Sequence, residues 1–600
     1  MNPMGFVSGR RQLGAESVMA LGLALVAGPV MAQSEAIATA PTGAPPTAAA
    51  APAPPPSESM VINLVRLLVK QGVITQDAAD ALRQQAEDEA NQARAASGAP
   101  SLTVAATAPD GVIRVPYVPQ VVRNQIKEDI KKDVLAQAQA EGWASPGAFP
   151  DWISRIQWFG DFRFRDQFNF YSGNNTSQFI DYSAFNANGP TDINANTNNR
   201  GIPFLDTRQD RLNQLSIRAR LGVNVKVFEG VAATIRLATG SDNSPVSTTQ
   251  LLGGGLGKKN IWLDQAYLTL TPNYWSTVSL GRVPNPFLHT DLVFDDNLNF
   301  DGISAQANRQ IGDQGLKLFA AAGVYPLDYV SGNFPTNSEA KTSDSTKWLY
   351  AVQIGAQFQP DALSWSARGA VAFYDYQNVQ GQLSAPCDIY DNVKQCTTDP
   401  SRPSFMQKGN TLFLVRNITP NPNASANPNS SQNALPQFVG LLYNYRLIDL
   451  TGEIEIPLFG PTRGQLQADY VRNLAYEPVG AGARAVNNFD ATPDPSTVGP
   501  YRSGPNGWMV KATVGYPRPA AKGDWNLGAG YKYIEPDAVI DAFNDRDFHL
   551  GGTNSKGYFL SANYYFANNT WLSGRWLSAT EVFGPPLAID VLQLELNTKF

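Results

Sequence analysis

The sequence predicts an all-β fold, a transmembrane antiparallel β-barrel of about sixteen strands, behind an amino-terminal extension of helical and disordered segments. From residue 152 onward, apolar and polar side chains alternate with a period of two, the spacing of a β-strand. About sixteen such segments, each of roughly ten residues, recur to the end of the chain. Short turns alternate with long loops rich in Asn, Gly, Ser and Pro, which is typical of the two rims of such a barrel.

Segment 215–227 shows the alternation most clearly. Leu215 and Leu221 share one face, whereas Arg218 and Arg220 share the other. A soluble sandwich would need the apolar faces to meet in a dry core, and it would leave the charged faces outside. The charged face is too polar to be buried without partners, so a cylinder with lipid outside and water inside is less costly.

The last segment, Ile589–Phe600, alternates in the same way and ends on an aromatic residue. A final strand of this kind resembles that of bacterial outer-membrane β-barrel proteins, in which it closes the barrel and is recognised by the barrel assembly machinery. This resemblance assigns barrel closure to Phe600.

Composition excludes several classes of function. A net charge of −6 provides no strong field for nucleic acid, so no nucleic-acid partner is expected. Two cysteines and two histidines leave almost nothing for a metal site, and no cofactor is expected. His289 lies near Asp291, but no serine motif accompanies it, so we do not expect an enzyme.

The residues before the barrel divide into five predicted segments. A short apolar run, Val18–Ala32, follows paired arginines and ends in small residues, which is typical of a secretory signal peptide. The predicted segments are a signal peptide (1–32), a Pro/Ala-rich disordered spacer (33–59), a helical segment (60–96), a linker (97–118) and an amphipathic helix (119–142).

Helix 119–142 has a narrow apolar stripe, which suits pairing with another helix as a coiled coil. Two interpretations stay open. The helix belongs to a periplasmic arm that self-associates or touches the cell wall, or it packs against the mouth of its own barrel.

The residues on the face opposite the apolar one would line the interior, and basic residues outnumber acidic residues among them. The predicted pore-lining basic residues are Arg163, Arg165, Arg218, Arg220, Arg236, Arg282 and Arg368. Arg282 needs a bulge or a strand end to reach the interior, because alternation from Leu280 directs it outwards.

The loop after the fifth strand, Gly281–Gly302, is unusually apolar and its charges after Arg282 are all acidic. Such a loop would be stable folded into the interior, with its carboxylates facing wall arginines. The predicted carboxylates of this constriction loop are Asp291, Asp295, Asp296 and Asp301.

With this loop, and with a helical preface leading into Ile156–Arg165, the chain resembles sixteen-stranded general porins and is similar to the bacterial outer-membrane putative porin family. The resemblance implies a passive diffusion channel for small hydrophilic solutes and ions, and a homotrimer in outer-membrane lipid and lipopolysaccharide. It also implies that the amino-terminal extension lies in the periplasm.

Two alternatives remain from the sequence: a channel selective for an anionic solute, and a non-conducting tether between outer membrane and cell wall. Cys387 and Cys396 lie in the longest loop, and we expect a disulfide between them because a cell envelope is oxidising.

Overall fold

The computed structural model describes residues 151–600, apart from 195–200, 243, 331–343, 361–364, 391–395, 428–429, 479, 481, 483, 493 and 495–496. The predicted signal peptide, spacer, linker and helices of residues 1–142 lie outside the described residues.

Sixteen long strands dominate the described chain. They are β1 (Ile156–Tyr171), β2 (Arg211–Phe228), β3 (Val231–Thr239), β4 (Ile261–Asn273), β5 (Ser276–Pro284), β6 (Asn299–Ile311), β7 (Leu316–Asp328), β8 (Lys347–Phe358), β9 (Ser366–Gln377), β10 (Tyr445–Pro457), β11 (Arg463–Asn473), β12 (Asn506–Gly515), β13 (Trp525–Ile534), β14 (Ser555–Ala567), β15 (Thr570–Glu581) and β16 (Ala588–Lys599).

Each long strand pairs antiparallel with its neighbours in the chain, and β16 returns to pair with β1. The sheet therefore has no free edge, so backbone groups on every strand have partners. The predicted antiparallel barrel of sixteen strands is confirmed. A two-residue strand, Gln250–Leu251, adds to β2 at the rim.

Short turns alternate with longer loops around the barrel, except that the last loop, 582–587, is itself short. The short connections are 229–230, 274–275, 312–315, 359–365, 458–462, 516–524 and 568–569. The connections at the other rim are 172–210, 240–260, 285–298, 329–346, 378–444, 474–505, 535–554 and 582–587.

The remaining elements are short. Helix α1 is Asp151–Ser154, and helix α2, Tyr182–Ala187, is capped by Asp181, whose side chain accepts from the Ala184 N–H at 2.9 Å. Small strands pair Thr191–Asp192 with Pro436–Gln437, and Leu412–Leu414 with Val439–Leu441. Short 3₁₀ turns in the described parts of the loops include Asp399–Ser401, Ser431–Asn433 and Phe548–Leu550. No helix within the described ranges has the length and apolar character needed to cross a membrane.

Apolar side chains of the strands point outwards. Trp158 and Leu221 are 66% and 47% exposed, whereas Arg163 and Arg165 on the opposite parity are 8% and 2% exposed. This arrangement is the reverse of a soluble protein and fits a lipid surround.

The buried apolar core lies inside the cylinder. Phe287, Leu292, Val293 and Phe294 of loop 285–298 are at most 4% exposed. They pack against inward side chains of β7–β13, namely Tyr325, Leu349, Tyr374, Tyr376, Tyr445, Leu447, Val471, Met509 and Ile534. The inner wall is therefore charged over only part of its circumference. On β7–β13 it presents aromatic and aliphatic groups, against which loop 285–298 packs.

At the seam where β16 pairs with β1, the last paired residue is Phe600. Phe600 and Gly160 exchange both backbone hydrogen bonds, each at 3.0 Å. A Cβ added at Gly160 would lie 2.6 Å from the Phe600 ring and 2.5 Å from the Arg220 carbonyl oxygen. The terminal aromatic ring therefore needs a residue without a side chain beneath it.

We expect Gly160→Val to destabilise the barrel by about 1–3 kcal/mol, because the added side chain must displace the Phe600 ring at the closing seam. Urea titration of the folded band on semi-native gels measures this. Gly574→Val is the matched control, since a Cβ at Gly574 meets nothing within 4 Å. Equal losses in both variants would contradict this role of the seam.

Candidate functional site

Loop 285–298 crosses the interior of the barrel. The Leu288 N–H donates to Gln353 Oε1 at 2.7 Å, and Gln353 Nε2 donates to the Leu288 carbonyl at 2.8 Å. The Thr290 hydroxyl donates to Asp469. Gln353 lies on β8 and Asp469 on β11, well round the sheet from β5 and β6, so the loop can reach both only through the interior.

A second loop, 535–554, meets the first one there. The Asp295 N–H donates to the Phe543 carbonyl at 2.9 Å, and the Asp545 N–H donates to the Asp291 carbonyl at 3.2 Å. The Asp545 carboxylate pairs with Lys532 of β13 at 2.7 Å. The two loops therefore brace each other and are fixed to the wall.

A cavity of about 440 Å³ remains beside these loops, on the side of β1, β2 and β12–β15; we call it the charged cavity. Its basic lining residues are Arg163, Arg165, Arg218, Lys511, Lys532 and Arg575. Its acidic lining residues are Asp291, Asp295, Asp296, Asp545 and Asp547. The two signs nearly balance, and the loops supply all of the acids.

Arg165 joins the wall to loop 535–554. It contacts Glu595 Oε1 at 2.6 Å through Nη2 and Asp547 Oδ2 at 3.0 Å through Nη1. Arg575 Nη1 also contacts Asp547 Oδ2, at 3.1 Å. These cations hold the pKa of Asp547 well below its usual range, despite its burial. Breaking such a buried network is costly, so it fixes the loop in place.

Other predicted basic residues also carry acidic partners on the inner wall. Arg218 and Arg220 both contact Asp161, at 2.9 and 2.6 Å. Arg236 contacts Asp264 at 2.6 Å. The field of the wall is therefore weaker than a count of arginines indicates.

Arg163 and Arg368 complete the predicted set that faces inwards. Arg163 donates to the Thr249 hydroxyl at 2.5 Å and lies 3.6 Å from Glu595. Arg368 pairs with Glu453 at 2.9 Å, near the rim of the short turns and away from the charged cavity.

Arg282 and Asp301 do not join the charged cavity. The register through β5 is continuous at Leu280 and Arg282, so no bulge turns Arg282 inwards. Near the end of β5, however, Arg282 Nε donates to the Asp264 carbonyl at 3.0 Å, and its side chain lines a separate cavity together with Asp328 and Lys347. Asp301 belongs to β6 rather than to the loop, and it faces Arg282 directly, with 2.9 Å between Arg282 Nη1 and Asp301 Oδ1. Both lie on the parity of Ile303, which is 51% exposed on the outer surface.

The three remaining acids of loop 285–298 do face the charged cavity. Asp296 has an 84% exposed side chain, 3.5 Å from His289 Nε2. Asp295 Oδ1 accepts from the Asn297 N–H at 2.8 Å. Burial raises the pKa of Asp291 to about 7 and that of Asp295 to about 6.

Cys387 and Cys396 are joined by a disulfide in loop 378–444, with 5.1 Å between their Cα atoms. The bridge lies in a loop whose other contacts hold it over the barrel. Asn410 of that loop donates to the carbonyls of Pro536 and Val539 at 2.7 and 2.8 Å, which links it to loop 535–554.

Sequence reasoning missed Asp264, Asp545 and Asp547. Asp264 reaches the interior through a bulge between β3 and β4, where the register shifts at Arg236/Leu237. A local break in the alternation, with Asp264 and Gln265 adjacent and both polar, is the only sequence signal for it. Asp547 lies in a loop with no repeating pattern, so nothing local identifies its partner.

The family model described as "Putative porin" matches residues 58–600. The chain belongs to this porin family. Family membership and the closed barrel together support an outer-membrane channel. No curated protein matches the chain.

Among solved structures, this porin is similar to the outer membrane channel DcaP of Acinetobacter baumannii, with 12% identity over 74% of this chain and 97% of that chain, and a TM-score of 0.35. It is also similar to OprB of Pseudomonas putida, with 11% identity over 75% and 95% of the two chains and a TM-score of 0.37. The trimer form of OmpT of Vibrio cholerae gives 8% identity over 74% and 99%, with a TM-score of 0.33.

We expect the ion selectivity of the porin to depend on pH between 8 and 5. Asp291 and Asp295 titrate at about 7 and 6, so acidification removes negative charge from the charged cavity. The cation-to-anion permeability ratio, from reversal potentials in a KCl gradient, should fall as the pH falls. In Asp291→Asn with Asp295→Asn the pH dependence should become weaker, and the remainder should come from His289 of the same cavity, whose pKa is raised by its hydrogen bond with Asp296 despite its burial; an unchanged pH dependence in that variant would contradict the assignment.

Proposed function

We propose that the protein is a passive diffusion channel for small hydrophilic solutes and ions, constricted by loop 285–298. The observation that supports it most directly is the charged cavity, where loop carboxylates lie opposite wall cations inside a closed barrel. No chemical step is needed, since the solute is not changed on the way through.

The proposed mechanism uses the separation of the two signs. Asp291 and Asp296 belong to the loop, whereas Lys511 and Arg575 belong to β12 and β15 of the wall. Opposite charges across a narrow passage give a transverse field, which orders water and disfavours apolar solutes. Small polar solutes exchange hydrogen bonds with water for hydrogen bonds with the lining, and they pass.

The near balance of acids and bases favours weak ion selectivity over a channel tuned to one anion. Planar-bilayer recordings in a KCl gradient test this. Conductance with a small reversal potential is expected. A strong and saturable anion preference would favour the anion-selective alternative, and absence of conductance would favour the tether.

We expect Asp295→Asn with Asp296→Asn to raise the preference for anions, because two negative charges leave the charged cavity while its cations stay. The reversal potential in the same KCl gradient should shift towards the chloride potential. Asp301→Asn is the matched control, since Asp301 lies on the outer surface with a 56% exposed side chain and should leave the potential unchanged.

An unchanged reversal potential in the double variant would count against a constriction at this loop. Equal shifts in the double variant and in Asp301→Asn would show that the effect does not arise in the charged cavity.

We further propose that the barrel lies in the bacterial outer membrane as a homotrimer, in contact with lipid and lipopolysaccharide, after insertion by the barrel assembly machinery. The outward apolar belt and the terminal Phe600 support this location. Residues 33–150 would then extend into the periplasm, where the helical segments could reach the cell wall.

A further inference from the structure

The cavity that is lined by Arg282, Asp328 and Lys347 lies at the rim of long loops, and we call it the rim cavity. It has a volume of about 580 Å³ and is bounded by strand ends of β3–β5, β7 and β8 and by three long loops. Its apolar lining side chains include Trp262, Leu327, Val379, Phe405, Leu441 and Phe543. A cavity of this size, mostly apolar with a few polar groups, is typical of a binding site for a small organic molecule.

Two aromatic rings of the rim cavity are held in place by neighbouring groups. Trp262 Nε1 donates to the Gly240 carbonyl at 3.1 Å. The Phe543 ring stacks on Tyr376 of β9, with 6.3 Å between the ring centroids and 8° between the planes. Rings that are already fixed lose little freedom when a ligand binds, and they pack favourably against another aromatic ring.

The two basic residues of the lining already have carboxylate partners. Lys347 Nζ contacts Asp328 Oδ2 at 2.8 Å and also donates to two backbone carbonyls, at 2.7 and 3.0 Å. Arg282 contacts Asp301 at 2.9 Å. A carboxylate on a solute would have to compete with these partners, so the rim cavity does not favour an anion.

The acidic residues of the lining are not equivalent. Asp264 and Asp328 each contact a basic side chain, at 2.6 and 2.8 Å. Asp242 of loop 240–260 is exposed, and it forms no ion pair with a described Lys or Arg. It lies two residues from Gly240, whose carbonyl holds the Trp262 ring. A carboxylate close to an aromatic ring attracts an ammonium group through its own charge and through the cation–π attraction of the ring.

The rim cavity adjoins the charged cavity. Thr248 lines the rim cavity, and its hydroxyl donates to Asn297 Oδ1 at 3.4 Å. Asn297 lines the charged cavity, as does Arg163, which donates to the Thr249 hydroxyl. These two threonines therefore lie between the cavities, and a solute in the rim cavity would be next to the passage.

We propose that the rim cavity binds a small solute that carries one aromatic ring and one ammonium group. The ring packs among Trp262, Phe405 and Phe543, and the ammonium group faces Asp242. Uncharged aromatic solutes bind more weakly, and aromatic carboxylates bind least. Uptake of this solute rests on the proposed channel function, whereas its binding needs no conductance.

Isothermal titration calorimetry of the purified full-length protein in detergent micelles tests the site with phenethylamine, 2-phenylethanol and phenylacetate. These probes share an aromatic ring and differ in charge. Phenethylamine should bind saturably, about threefold more tightly than 2-phenylethanol and about tenfold more tightly than phenylacetate. Titration into empty micelles measures the partition of each probe into detergent.

Asp242→Asn should remove the preference for phenethylamine and leave the affinity for 2-phenylethanol unchanged, because only a charge is lost. Asp313→Asn is the matched control, since Asp313 is an exposed acid of the short turn 312–315 at the opposite rim. Trp262→Ala should weaken both probes about tenfold. Trp365→Ala, which removes a 45% exposed ring at the opposite rim, should weaken neither. Heat-modifiable migration on gels checks that each variant is folded.

Absence of saturable binding, or equal affinity for phenethylamine and phenylacetate, overturns the proposal. A preference for the amine that survives in folded Asp242→Asn overturns the position of the ammonium group. A protein that conducts KCl in planar bilayers and does not bind phenethylamine overturns the solute site alone. A protein that binds phenethylamine as expected and does not conduct overturns the proposed channel function alone.

Discussion

Backbone hydrogen bonding in a medium without water is the constraint on which the structure depends. Every strand must pair on both sides, and the sixteen long strands achieve this only because β16 returns to β1. The seam ends on the mutual hydrogen bonds of Gly160 and Phe600. With the cylinder closed, the side-chain period of two separates an outward apolar surface from an interior that the loops then occupy.

The interior divides into two unlike halves. Inward aromatic and aliphatic groups of β7–β13 hold loop 285–298 through hydrophobic burial. Charged groups of β1, β2 and β12–β16 face the other side of that loop. There Arg165 contacts both Glu595 of the wall and Asp547 of loop 535–554. An ionic network therefore holds the loops on this side, as apolar packing does on the other. The positions of these two loops in the barrel are therefore set by apolar packing on one side and by charged contacts on the other.

Much of the fold could be predicted from the sequence because alternation is a local signal. The strands, their number and the pattern of turns and loops follow from residues that are neighbours in the chain. The inner contacts do not: Arg165 and Asp547 are 382 residues apart, and no local pattern links them. On β9, Phe373 faces outwards and Tyr374 faces inwards, so both faces of the strand carry apolar residues. Where the interior is apolar, the sequence therefore shows no difference in polarity between the inner and the outer face. Asp264 could not be predicted because a bulge interrupts the alternation of inward and outward side chains from which the lining residues were assigned.

The division of the interior has a consequence for how such a channel can diverge between species. Aromatic packing behind loop 285–298 determines whether the loop stays seated, while the exposed carboxylate of Asp296 touches little except His289. Mutations can therefore accumulate on the solvent side of the loop without unseating it. A change of charge at Asp296 would therefore alter the passage, whereas the buried contacts of Arg165 with Glu595 and Asp547 must be kept for loop 535–554 to stay in place.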